Sequence, residues 1–107
     1  MKLENEKALI RTIAEGNTKS FEVLFYSYYP RLKGFICDLL QSPEEAEDIS
    51  QDIFTTLWQN RTSLDKIDNI SAYLFRIAKN AVYRHIERNM LFKKLSAKTN
   101  RIYSKCN

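Results

Sequence analysis

The stretch Ser42-Pro43-Glu44-Glu45-Ala46-Glu47-Asp48-Ile49-Ser50-Gln51-Asp52-Ile53-Phe54-Thr55-Thr56-Leu57-Trp58 decides how the rest of the chain folds. It opens with a full helix-start signal: Ser42 to cap, Pro43 at the first helical position, and Glu45 three residues on to complete a capping box. Glu44 and Glu47 place negative charge near the positive end of the helix dipole. Ala46, Ile49, Ile53 and Leu57, with Phe54 and Trp58 one step round, recur at helical spacing and form an apolar stripe. Glu44, Glu47, Asp48, Gln51 and Asp52 make the outward face acidic, with no Lys or Arg inside the helix to neutralise it. Such a face is either simply solvated or a docking surface for a basic partner.

Around this helix the composition excludes most alternatives. A chain of 107 residues, 44% hydrophobic and 28% charged, is one globular domain with a modest core. Two Gly and two Pro, none of them after Pro43, are too few for the turns of a β fold and favour helices throughout. The fold class expected is therefore all-α, a compact bundle of about four helices with no sheet. Residues 1–52 hold six Lys/Arg against ten Asp/Glu, and residues 53–107 hold eleven against three. An acidic half followed by a basic one suggests two partners, the second an anion such as nucleic acid; basic residues that only solubilise a helix and a tail would look the same.

No Ser/His/Asp or Cys/His set with supporting context and no glycine-rich phosphate loop is present, so the sequence points to no catalytic residues and no enzyme. His85 is the single histidine, which argues against a metal site, and nothing calls for a cofactor. The charged N-terminus does not read as a signal peptide, and no apolar run approaches membrane-spanning length. Cys37 and Cys106 have no paired spacing. Cytoplasmic localisation without membrane insertion is the expectation.

Upstream of the acidic stretch, Leu9, Ile10 and Ile13 mark the inner face of a first helix from about Asn5 to Glu15, stopped by Gly16. Asn17 or Thr18 caps a second, whose stripe runs through Phe21, Leu24, Phe25 and Tyr28 and on through Leu32, Phe35, Ile36, Leu39 and Leu40. Pro30 predicts a kink or short break between these halves. The aromatic residues Phe25, Tyr26, Tyr28 and Tyr29 read as core and core-rim packing.

Downstream of Trp58 the periodicity lapses. Residues 60–69 are polar and rich in turn and cap formers, with Leu64 and Ile67 as anchors. This is long for a helix–helix connection, and a long ordered loop is either functional or a plain connector. Asn69 or Ser71 starts a last helix reaching at least Arg88, with Leu74, Ile77, Ala78 and Ala81 inward and Tyr73 and Val82 on its flanks. Its other face carries Arg76, Lys79, Asn80, Tyr83 and Arg84. Cations can neutralise phosphates, an Asn can bond base edges and a Tyr can stack on an exposed base.

Three motifs then stand in order: Phe21-Glu22-x-x-Phe25-Tyr26-x-x-Tyr29-Pro30-Arg31-Leu32, Glu45-Ala46-Glu47-Asp48-x-x-Gln51-Asp52-x-Phe54-x-x-Leu57-Trp58, and Tyr73-Leu74-Phe75-Arg76-Ile77-Ala78-Lys79-Asn80. Together they resemble region 2 of the bacterial sigma-70 family of RNA polymerase sigma factors, in particular the extracytoplasmic-function (ECF) group. The likeness covers roughly residues 7–88. It implies a sigma-70 region 2 helical domain over residues 1–90, followed by a helix extension and basic linker over 91–107.

The resemblance also implies roles. Asp48, Gln51 and Asp52, with Glu47 and Thr55 at the edge, would dock on the β′ clamp coiled coil of core RNA polymerase. Arg76, Lys79, Asn80, Tyr83 and Arg84, together with Arg61, Lys66, Asp68 and Asn69 of the preceding loop, would bind the non-template strand of the promoter −10 element, holding a flipped base against the loop. Capturing an unstacked base in a protein pocket offsets part of the cost of flipping it. An anti-sigma factor is a further partner implied by the group. Tyr73 stands where many relatives have Trp. The family reads the −35 element with a C-terminal helix-turn-helix domain, for which residues 90–107 are too few, so a fragment of a longer sigma factor is the expectation. The alternative is a helical DNA-binding or regulatory interaction domain that does not engage RNA polymerase.

Overall fold

The computed structural model of the chain describes residues 6–96, with the backbone alone for 92–96. Its order is α1 (Glu6–Ala14), α2 (Thr18–Leu40), α3 (Pro43–Gln59), a short 3-10 helix (Arg61–Lys66) and α4 (Ile70–Ser96). No strand occurs among the described residues, in keeping with the all-α expectation. The remaining tail, including the proposed basic linker, lies outside the described residues.

Local chemistry sets most of the boundaries. Gly16 leaves α1 with a φ of +99°, where a side chain would be strained. The Asn17 side chain then accepts from the Ser20 backbone N–H at 3.0 Å and opens α2. Gln41, in the left-handed region at φ 56°, closes α2 by donating its backbone N–H to the Cys37 carbonyl. One residue later Ser42 Oγ accepts from the Glu45 N–H at 3.3 Å and starts α3. Asn69 Oδ1 does the same for α4, accepting from the Ala72 N–H at 3.0 Å.

α2 is the central element, packed against α1, α3 and α4. It runs unbroken through Pro30, against the expectation of a kink or break. Pro30 faces solvent, while Leu24, Tyr28, Leu32 and Ile36 on the opposite side are completely buried, so packing on both flanks holds the helix together across the missing donor. Tyr28 belongs to the core, and Phe25 stacks on Tyr29 with centroids 4.7 Å apart at its rim. Tyr26 departs from the expected packing and is 72% exposed. Cys37 is buried near the end of α2, and Cys106 lies outside the described residues.

The stripe of α4 is rotated from the one expected. Ile70, Leu74, Ala78 and Val82 form the buried line, whereas Ile77 and Ala81 are only half-buried. The loop after α3 is not irregular: its 3-10 helix buries Leu64 and packs on α1. These two features fix what α4 presents to its surroundings.

Candidate functional site

The acidic face of α3 forms as its spacing requires. Glu44, Glu47, Asp48, Gln51, Asp52 and Thr55 are all exposed, and the opposite side buries Ala46, Ser50, Ile53, Phe54 and Leu57. Neighbouring helices contribute to this face in ways the sequence did not reveal. Lys33 of α2 brings its Nζ to 4.0 Å from Glu47 Oε1, supplying a cation that α3 itself lacks. Gln51 Nε2 donates to Glu47 Oε2 at 3.3 Å, which orders two of the face's side chains. Tyr29 of α2 borders the same residues; burial raises its pKa first, the Glu47 and Asp48 carboxylates add to the rise, and a bond with Gln51 opposes it.

Beside this face lies an apolar cleft of about 520 Å³ between α2 and α3, lined by Phe21, Phe25, Phe54 and Trp58 and rimmed by Gln51 and Thr55. Its aromatic rings brace one another, with Phe21 5.1 Å from Trp58 and Phe25 5.2 Å from Phe54, centroid to centroid.

Glu45 behaves differently from the sequence expectation. Its backbone N–H takes the Ser42 cap, while its side chain points to α4, where Oε1 lies 2.9 Å from His85 Nε2. Asn89 Nδ2 approaches the same ring nitrogen at 3.2 Å. The side-chain half of the predicted capping box is thus replaced by a link between helices.

The second face is on α4. Arg76, Lys79, Asn80, Tyr83 and Arg84 are all exposed and share one side of the helix, because the buried Ile70–Leu74–Ala78–Val82 line turns them outward. The Arg76 guanidinium sits 5.8 Å from the centroid of the Tyr73 ring. The four loop residues divide. Lys66 and Asp68 are exposed. Arg61 folds back onto α3, with its guanidinium 4.3 Å over the Trp58 ring and Nη1 donating to the Trp58 carbonyl at 3.0 Å. Asn69 uses its side-chain oxygen to cap α4. The sequence signal for both was ambiguous, since Asn caps helices as readily as it bonds bases and Arg pairs with Trp as readily as with phosphate.

Among the described residues no group of His, Cys, Asp and Glu could hold a metal ion, and no helix is long and apolar enough to cross a membrane.

The described residues thus form a helical bundle with an exposed acidic helix face beside an exposed basic one. Residues 24–91 match Sigma-70 region 2, and the chain belongs to that family. It is similar to the RNA polymerase sigma-H factor of Pseudomonas aeruginosa, 23% identical over 83 residues that cover 78% of this chain and 43% of that protein. It is also similar to the ECF RNA polymerase sigma factor RpoE of Cereibacter sphaeroides, 31% identical over 75 residues covering 68% of this chain and 41% of that protein. The chain therefore spans less than half the length of these relatives. No solved structure matches it.

Proposed function

We propose that this chain is the promoter-recognition module of an alternative, ECF-type sigma factor, working in the cytoplasm. Its α3 face, Glu47, Asp48, Gln51, Asp52 and Thr55, docks on the β′ clamp coiled coil of core RNA polymerase. Its α4 face, Arg76, Lys79, Asn80, Tyr83 and Arg84, holds the non-template strand of the −10 element during transcription initiation. Lys66 and Asp68 extend the DNA contact from the loop, with Arg61 and Asn69 holding that loop in place. An anti-sigma factor would act by covering either face.

The observation that supports this reading is the exposure of two oppositely charged faces on adjacent helices of a family member whose relatives are named as sigma factors. Carboxylates and an amide with few cations near them suit a basic helical partner, and cations interleaved with Asn and Tyr suit an unpaired strand.

The test is a titration of the chain with a β′ clamp coiled-coil fragment. Reversing the charge of the face with D48K, Q51K and D52K together is expected to weaken binding by at least about 100-fold, because like charges then meet across the interface. Undiminished binding would remove polymerase docking from the proposal. Binding to −10 single strands is expected to weaken as salt rises. Equal affinity for random strands would leave a basic patch without sequence reading.

A further inference from the structure

The outer side of α2 belongs neither to the core nor to the two charged faces. Val23, Tyr26, Pro30 and Gly34 follow one another along it at helical spacing, and all four are exposed. Gly34 is the anomaly. It sits well inside a 23-residue helix, where glycine is destabilising relative to every residue but proline. Its φ is not in the left-handed region. A Cβ added there would meet nothing within 4 Å among the described residues beyond the helix's own backbone. Neither a turn nor internal packing therefore calls for a glycine, and the position is a hollow open to the outside. About two turns earlier the Tyr26 ring projects from the same side, held edge-to-face against Phe25 with centroids 5.4 Å apart.

We propose that this side of α2 is a self-association surface on which a second copy of the chain docks antiparallel, the Tyr26 ring of each copy entering the Gly34 hollow of the other. Tyr26 and Gly34 stand four residues to either side of Pro30, so a two-fold axis at Pro30 satisfies both contacts at once, as an interface between identical copies requires. Without a side chain at position 34 the two helices can approach closely there, and that is what the glycine contributes. The charges fit the same arrangement. Lys19 lies at the N-terminal end of this side and Asp38 at its C-terminal end, both exposed. Antiparallel copies bring each Lys19 towards Asp38 of the other copy, whereas parallel copies set like charges together. A single helix face falls towards the low end of specific interfaces, about 1,200 Å² in total, so the dimer forms at about 10–100 µM and not in the nanomolar range.

Sedimentation velocity of the full chain over about 5–500 µM tests this, and the wild type is expected to pass from monomer to dimer across that range. Gly34→Leu fills the hollow and should weaken association at least about tenfold while raising the unfolding temperature by about 3–5 °C, because the same change removes a mid-helix glycine. A merely structural role for Gly34 would lower that temperature. Tyr26→Ala, at an exposed position, should weaken association to a similar degree. Lys19→Asp and Asp38→Lys each set like charges against one another and should weaken it about threefold to tenfold; the double variant restores opposite charges and should recover wild-type association. Both single changes suit the dipole of α2, so the helix stays folded.

A chain that stays monomeric throughout that range overturns the proposal, as does a dimer that survives Gly34→Leu and so uses another surface. Charge variants that weaken association singly, with no recovery in the double variant, overturn the antiparallel arrangement and the proposal with it. Weaker binding of a β′ clamp coiled-coil fragment by Gly34→Leu, in a chain that does not self-associate, would give this side of α2 to that partner instead.

Discussion

Glu45 Oε1 lies 2.9 Å from His85 Nε2, fastening the first turn of α3 to the middle of α4, forty residues further along the chain. The Glu45 side chain is about half exposed and that of His85 less so, 45% against 18%, so solvent screens much of the pairing. A double-mutant cycle with Glu45→Gln and His85→Ala, read by chemical denaturation near pH 6, is expected to give a coupling of about 0.5 kcal/mol. A coupling of zero would mean that the contact does not hold the two helices together.

Ser50 is fully buried in α3, and its hydroxyl has no hydrogen-bond partner among the described residues. A buried, unpaired hydroxyl has left water without compensation. Ser50→Ala removes that group without opening a sizeable cavity and raises helix propensity. It is expected to stabilise the domain by up to about 1 kcal/mol in urea unfolding. A loss of stability would show that the hydroxyl is satisfied in solution.

Arg61 covers the indole of Trp58, the single tryptophan, at 4.3 Å. Arg61→Ala should expose that face to water, shift the tryptophan emission to longer wavelength and cost about 1 kcal/mol of stability. An unchanged emission maximum would place the guanidinium elsewhere in solution.

Tyr28 and Tyr29 both have pKa values raised above the ordinary 10.0. For Tyr28 burial is the main cause, with the Glu6 carboxylate adding to it and Arg31 opposing it; its hydroxyl donates to Glu6 Oε2 at 3.3 Å. A raised pKa in the folded state means that the unfolded chain releases these protons first. Their contribution is therefore complete below pH 10 and is lost as pH rises through the folded-state values. Stability should fall above about pH 10, and less steeply in Tyr28→Phe and Tyr29→Phe. Parallel alkaline unfolding curves for wild type and both variants would contradict this.

Much of the bundle was legible before any coordinates. The Asn17 and Ser42 caps, the stop at Gly16 and the exposed acidic line on α3 all follow from residues within one turn of each other. Exposure of Arg76, Lys79, Asn80, Tyr83 and Arg84 on one side of α4 was legible for the same reason. The unbroken passage through Pro30 was not, because the disruptive effect of proline is local while the packing that overrides it comes from three other helices. Arg61 looked like a loop group free to meet DNA, and the pattern gave no sign that it would lie on Trp58; Asn69 could be read either as the start of the last helix or as a DNA contact, and the structure uses its side chain as the cap.

The sequence by itself determined where most of the helices lie, the caps that open them, their charge and the family, since hydrogen bonds between near neighbours and a 3.6-residue repeat act wherever the segment finds itself. Tertiary structure decided how each helix is turned about its own axis. A repeat of apolar residues defines a stripe broader than the line that is finally buried, and only contact with neighbouring helices selects that line. That choice buried Val82, left Ile77 on the floor of a groove between α3 and α4, and set Asp52 across it from Arg84.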